Sequence, residues 1–201
     1  VIDAVKTAQA RKVYVVEEAM AAAIGAGLPI EDASGSMIID LGGGTTDIAV
    51  FSLGDMVVDK TMKIAGDEMD QDIVNYIKGK YNTLIGDRSA EDIKIMMGSA
   101  MPLKKEKKYP VQGRDLLTGL PKTIELSSIE VREAIMNTIS LITEAVKDAI
   151  EETPPELLKD LVSSGVYVAG GGALIRGLDT YWTQELELPV KIVEDPLSAA
   201  A

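Results

Sequence analysis

The chain contains no cysteine and no histidine in 201 residues. Disulfides, thiolate metal sites and cysteine nucleophiles are thereby excluded, and so are Ser-His-Asp triads and histidine zinc sites. Aromatic residues make up only 4%, with one Trp and one Phe, too few for the stacking platform that single-stranded nucleic acid requires. Positive charge is also short. Twenty Lys and Arg face 32 Asp and Glu, a formal charge of −12, which argues against nucleic-acid binding because that needs a basic surface to displace counterions. No apolar run approaches the roughly 20 residues of a membrane helix. The chemistry left open runs on carboxylates, hydroxyls, Lys and Arg, backbone amides and a hard metal ion.

What is present is ordinary for a globular chain. With 46% apolar and 26% charged residues it can bury a core, and its length suits one large domain or two small ones. Residues 1–6 read as the tail of a helix with no cap before it, which suggests a chain cut from something longer. Lys12 to Val16 is apolar and β-branched enough for a buried strand. Residues 17–26 form a helix that Gly27 and Pro29 stop. Strands over 37–40, 47–51 and 56–64 make a meander. A helix from Asp67 follows, with Met69, Ile73, Ile77 and Tyr81 on one face.

Another helix opens with Ser89 as N-cap. Residues 101–127 read as a hairpin with a lysine-rich lead-in (Lys104, Lys105, Lys107, Lys108) that is a solvated face. Ser127 and Glu130 form a capping box for the longest helix, striped by Ile135, Ile139, Ile142, Val146 and Ile150. Pro154 and Pro155 end it. A strand over 166–169, a glycine turn, a helix and a strand near 190–193 complete a mixed α/β chain.

Two segments carry a chemical signature, each an apolar strand running into three glycines. In the first, Asp40-Leu41-Gly42-Gly43-Gly44-Thr45-Thr46-Asp47, bare backbone can approach a phosphate, the Thr hydroxyls can add hydrogen bonds, and the flanking carboxylates suit a hydrated Mg²⁺. A hairpin whose glycines serve only the turn is the plainer account, but three glycines between two carboxylates exceed what a turn needs. In the second, Ala169-Gly170-Gly171-Gly172-Ala173 runs towards a helix N-terminus, which suits an anion or the sugar and base edge of a nucleotide. It is not G-x-G-x-x-G, because that count lands on Ile175, and the chain has no G-x-x-x-x-G-K-[ST]. Glu17 and Glu18 at the start of a helix need mean no more than favourable electrostatics there. Glu91 and Lys94, one turn apart, read equally as an exposed ion pair.

Together the segments resemble the actin, sugar kinase and heat-shock chaperone ATPase superfamily: residues 40–47 its second phosphate loop, residues 169–179 its adenosine motif. Residues 16–29 are similar to the first connecting helix of the MreB family of bacterial actins, and residues 193–199 to that family's second connecting segment. The resemblance implies an actin-like α/β ATPase lobe of ribonuclease H-like type, with a mixed five-stranded sheet and flanking helices. Residues 1–35 would be the tail of a first lobe, 36–65 and 128–201 the second-lobe ATPase subdomain, and 66–127 a small outer subdomain.

The site residues follow from the resemblance alone. Asp40 and Asp47 would hold Mg²⁺ through water, and Gly42, Gly43, Gly44, Thr45 and Thr46 would cradle the phosphates of ATP. Glu18 would orient the attacking water with Thr45 assisting. Glu91 and Lys94 would reach the ribose and adenine, beside Gly170, Gly171, Gly172 and Ala173. Gly66-Asp67-Glu68 matches a turn of structural importance. The family's first phosphate hairpin is not found in these residues. The activity implied is slow ATP hydrolysis coupled to cytoplasmic filaments at the inner membrane, attached through the first lobe. The implied partners are further copies of itself and the cell-elongation machinery, with a role in rod shape and cell-wall synthesis. A chaperone ATPase lobe is the alternative, and a small-molecule kinase the third.

Overall fold

The computed structural model describes residues 2–200; Val1, which opens the expected helix tail, and Ala201 lie outside the described residues. Five strands form one sheet in the order β3-β2-β1-β7-β8. These are β1 (Ser36–Leu41), β2 (Thr46–Ser52), β3 (Asp55–Met62), β7 (Val166–Ala169) and β8 (Val190–Ile192). The first three make the expected antiparallel meander, while β7 and β8 run parallel to β1. Strand β1 is buried at every position, which explains why it reads as a nearly unbroken apolar run.

Each face of the sheet packs against helices. On one, Met37, Ile39 and Leu41 meet Ile135, Ile139, Ile142 and Val146 of the long helix α5 (Ser128–Glu152) and Trp182 of α7 (Leu178–Leu186). On the other, Ile38, Ala49 and Phe51 meet Ala19, Ala22 and Ala23 of α2 (Glu18–Gly25). The Ser127–Glu130 capping box starts α5 as expected. Inside the core the Trp182 indole N–H donates to Thr143 Oγ1 at 2.9 Å, and that hydroxyl donates to the Ile139 carbonyl at 2.7 Å.

Residues 66–127 build a second, three-stranded antiparallel sheet, β4 (Thr83–Leu84), β5 (Lys108–Asp115) and β6 (Pro121–Ser127), beside α3 (Gly66–Tyr81) and α4 (Asp87–Met97). Its Val111, Ile124 and Leu126 join the same core as α5. Strand β4 reaches β5 only at Arg114 and Asp115, so Lys108–Gly113 present an open edge, with Pro110 at its middle. The lysine lead-in is exposed throughout.

Several expectations are corrected. Val13–Val16 forms no strand: Tyr14 and Val15 are 78% and 71% exposed, and no described strand pairs with them. β propensity is realised only where a neighbour supplies the ladder. Helix α4 begins at Asp87 with Gly86 as N-cap, so Ser89 lies inside it. Pro155 starts the unforeseen helix α6 (Pro155–Ser164), because proline fits the first helical position as readily as it ends a helix. Helix α1 (Ile2–Thr7) agrees with the expected helix tail.

Replacing Thr143 by Val keeps the shape and leaves the buried Trp182 N–H without a partner. Thr143→Val should therefore lower unfolding stability by about 1–3 kcal/mol, measured by urea titration of tryptophan fluorescence; a loss below about 0.5 kcal/mol would mean that the indole finds another acceptor.

Candidate functional site

The turn between β1 and β2 is closed by the Gly42 amide donating to the Thr45 carbonyl at 3.0 Å. Its outer side rests on the start of α3: the Gly66 amide donates to the Gly42 carbonyl at 3.2 Å and the Asp67 amide to the Gly43 carbonyl at 2.8 Å. Every peptide bond among the described residues is trans. In a trans peptide the N–H that follows a carbonyl points the opposite way, so the Gly43 and Gly44 amides face away from α3. Both residues are exposed, and among the described residues neither amide has an acceptor. Two adjacent free amides on a glycine turn make an anion-binding concavity. A Cβ on Gly43 would come within 3.3 Å of Asp67 Oδ1, a contact that a small shift of that side chain relieves.

The two carboxylates of the motif stand opposite each other across the hairpin, since Asp40 pairs with Asp47 in the ladder. Side chains alternate along a strand, which puts both on the face covered by α2. Glu18, the first residue of α2, is exposed and close enough for its charge to act on Asp40. Burial first, then Glu18, then Asp47 push the Asp40 carboxyl up to about 6. Asp47 is steadied by the Thr61 hydroxyl, which donates to it at 2.5 Å. No three acidic side chains among the described residues converge to hold a metal directly. Two paired carboxylates in a negative field suit a cation that keeps its water shell.

Thr46 lies on the other face, fully buried, and its hydroxyl donates to the Ile64 carbonyl at 2.7 Å. Its expected hydroxyl contact with phosphate is therefore replaced by an anchoring role, because in a strand alternate side chains face opposite ways. Thr45 sits half-buried in the turn itself.

The second glycine run crosses the end of β1, where Ala169 pairs with Asp40. A Cβ on Gly170, which has φ of +80°, would overlap the Leu41 carbonyl and come within 2.5 Å of Asp40 Oδ1. One on Gly172 would overlap the Leu41 side chain. These two glycines serve close packing, and Gly171 is the exposed one. The expected helix N-terminus is a 3₁₀ turn (Gly171–Leu174), and α7 begins only at Leu178. Ala173 is buried with its amide bonded to the Gly170 carbonyl at 3.2 Å, so its side chain and N–H are both engaged within the protein.

Glu91 and Lys94 form no ion pair with each other. Glu91 is exposed, while the Lys94 ammonium donates to Asp70 Oδ2 and to the Gly66 carbonyl, each at 2.8 Å. Burial pushes the Asp70 carboxyl up, and Lys94 pulls it back down. The bracing by Gly66 and Asp67 agrees with the structural turn expected at Gly66-Asp67-Glu68, whereas Asp70 is a residue that the sequence reading does not single out. The available signal was an acid at a helix position between the buried Met69 and Ile73, where a charge needs a partner.

With this geometry in view, the relatives are informative. The sequence matches the family described as MreB/Mbl protein over residues 1–201. It is 46% identical over 199 residues to the cell shape-determining protein Mbl of Bacillus subtilis (strain 168), covering 99% of this chain and 60% of that protein. To the cell shape-determining protein MreB of Escherichia coli (strain K12) it is 45% identical over 194 residues, 96% of this chain and 56% of the relative. The crystal structure of MreB5 of Spiroplasma citri bound to ADP superposes with a TM-score of 0.96 at 44% identity, over 99% of this chain and 60% of that one. The MamK double helical filament, at 24% identity and a TM-score of 0.76 over 92% of this chain and 56% of that one, shares the fold. The chain spans about 60% of the length of the first curated relatives it matches. The fold is therefore actin-like, and the chain belongs to the MreB/Mbl family.

Proposed function

We propose that this chain is the second lobe of an ATP-binding, actin-like cytoskeletal protein, with residues 66–127 as its outer subdomain. The observation that carries the reading is the pair of free amides at Gly43 and Gly44, set beside the Asp40–Asp47 carboxylates at the mouth of one hairpin. MreB5 binds ADP and AMPPNP, the Mbl and MreB relatives are cell shape-determining proteins, and MamK forms a filament. The family match favours this reading over a chaperone ATPase lobe.

In this reading the Gly43 and Gly44 amides bind the outer phosphates of ATP, with Gly42, Thr45 and the buried Thr46 holding the turn in shape. Asp40 and Asp47 would hold Mg²⁺ through its water shell, and the ion's charge would offset the negative field that they create. The ion supplies charge neutralisation on the phosphates. Glu18 orients the attacking water, helped by Thr45, in keeping with a reaction that depends on positioning and electrostatics. The exposed Gly171 offers bare backbone to the nucleoside, with the exposed Glu91 as the second contact, while the Lys94 ammonium is held by Asp70 and the Gly66 carbonyl. The whole protein would hydrolyse ATP slowly and this lobe alone would not, because electrostatic stabilisation needs a closed, dry site. Its filaments would lie in the cytoplasm beneath the inner membrane, joined to it through a first lobe. There they would engage the cell-elongation machinery to direct wall synthesis and rod shape.

Two outcomes test this site. Between about pH 4 and pH 6 the folded protein keeps a proton on Asp40 that the unfolded chain releases, so stability should fall as pH rises through that window and level off above it. Asp40→Asn should flatten that slope, and in the natural full-length protein it should weaken binding of ATP with Mg²⁺ far more than binding of ATP in EDTA. Equal losses in both titrations would return Asp40 to the status of a turn residue. Glu18→Gln should leave ATP affinity nearly intact and slow phosphate release by about 10²–10⁴-fold; a loss of affinity with unchanged turnover would reverse the assignment.

A further inference from the structure

We infer that Asp70 is a positioning residue for the phosphate-binding hairpin: its carboxylate holds the Lys94 ammonium against the Gly66 carbonyl, so that α3, α4 and the Gly42–Thr45 turn are coupled. The inference rests on the reading of that turn as a nucleotide cradle. Four contacts in series make the connection. Asp70 Oδ2 accepts from Lys94 at 2.8 Å, and Lys94 donates to the Gly66 carbonyl at 2.8 Å. Gly66 then donates to the Gly42 carbonyl at 3.2 Å, and Asp67 to the Gly43 carbonyl at 2.8 Å. Gly66 is thus engaged on both sides, by its amide to the turn and by its carbonyl to the ammonium.

The location of the ammonium makes Asp70 necessary. Lys94 is placed within the first turn of α3, where the helix dipole is positive and repels a cation. Its side chain is only 15% exposed and that of Asp70 12%, so water screens neither charge well. Without the carboxylate, the ammonium would do better in solvent near Glu91, one turn back on α4. The Gly66 carbonyl would then keep only its helical bond from the Asp70 amide, and the Gly66–Asp67 peptide, whose N–H braces Gly43, would lose the ammonium that fixes its plane. Burial of a Cβ is not tolerated freely here either, since one on Gly66 would come within 3.2 Å of both the Gly42 carbonyl and Lys94 Nζ.

A purely stabilising ion pair is the competing role, and the geometry fits it poorly. Asp70 Oδ1 is buried without a hydrogen-bond partner among the described residues. A buried pair with half its acceptor capacity unused gains little stability over an apolar replacement. Its distinguishing property is direction: it aims one ammonium at one carbonyl directly behind the turn.

The test is a double-mutant cycle in the natural full-length protein, using Asp70→Asn, Lys94→Met and the combination. Without nucleotide, hydrogen exchange at the Gly42, Gly66 and Asp67 amides should accelerate about tenfold in either single variant and no further in the double, while residues 135–146 of α5 stay protected. Affinity for a fluorescent ATP analogue should fall about tenfold in either single variant and no further in the double. Unchanged exchange at those three amides, or effects that add in the double variant, would overturn the inference. If Asp70→Asn loosens α5 as well, Lys94→Met alone decides through the same amides. A wild-type protein that binds no nucleotide would sink the proposed function, while the exchange measurement would still judge the coupling.

Discussion

The close approach of the Gly170–Gly172 turn to the end of β1 sets the geometry of everything around the site. Strand β1 is held by β2 on one side and β7 on the other, and the chain leaving β7 folds directly over Leu41 and Asp40. Only backbone without Cβ fits at Gly170 and Gly172. Because the turn lies that near, Asp40 is enclosed at the sheet's end. The two glycine runs thus meet at the last two residues of β1, Asp40 and Leu41, from which the first run departs.

That construction leaves an electrostatic deficit. Asp40, Asp47 and Glu18 share a region of one sheet face, and no described Lys or Arg pairs with any of them. Burial first, and this negative field second, hold the Asp40 carboxyl up at about 6, a state that a hydrated cation would reverse by favouring the charged form. The basic side chains nearby are committed elsewhere: Lys94 to Asp70, Arg176 to the carbonyls of Gly98 and Ile95 at the end of α4. These positive charges therefore hold the scaffold, and the anion binding proposed for the turn rests on backbone amides.

How far the sequence disclosed this depends on the range of each interaction. The capping box at Ser127 and Glu130 was legible because all its parts lie within four residues, and the meander was legible because short turns join its strands. Residues Val13–Val16 were misread for the opposite reason. Their composition suits a strand, but a strand exists only with a partner, and none of the described residues supplies one. Thr46 and Ala173 carry the right chemistry in the right motif, yet the alternation of the strand and the tightness of the 3₁₀ turn commit them inward. Asp70 is the reverse case: an acid inside an amphipathic helix looks like a surface residue until α4, 24 positions away, brings Lys94 to it.

The open edge of β5 has a consequence for how such a chain can meet copies of itself. Along Lys108–Gly113 the side of β5 away from β6 has no strand neighbour among the described residues, yet Pro110 offers no N–H there, and the flanking Lys108 is tied to Glu125. An added strand would find its ladder interrupted at the middle of the segment. Strand pairing is thereby discouraged along this edge of the outer sheet, whose other edge strand is β6. Assembly by contacts between side-chain surfaces is reversible in a way that a continuous backbone ladder is not. For the filament proposed above, a proline at the rim keeps the two kinds of association apart.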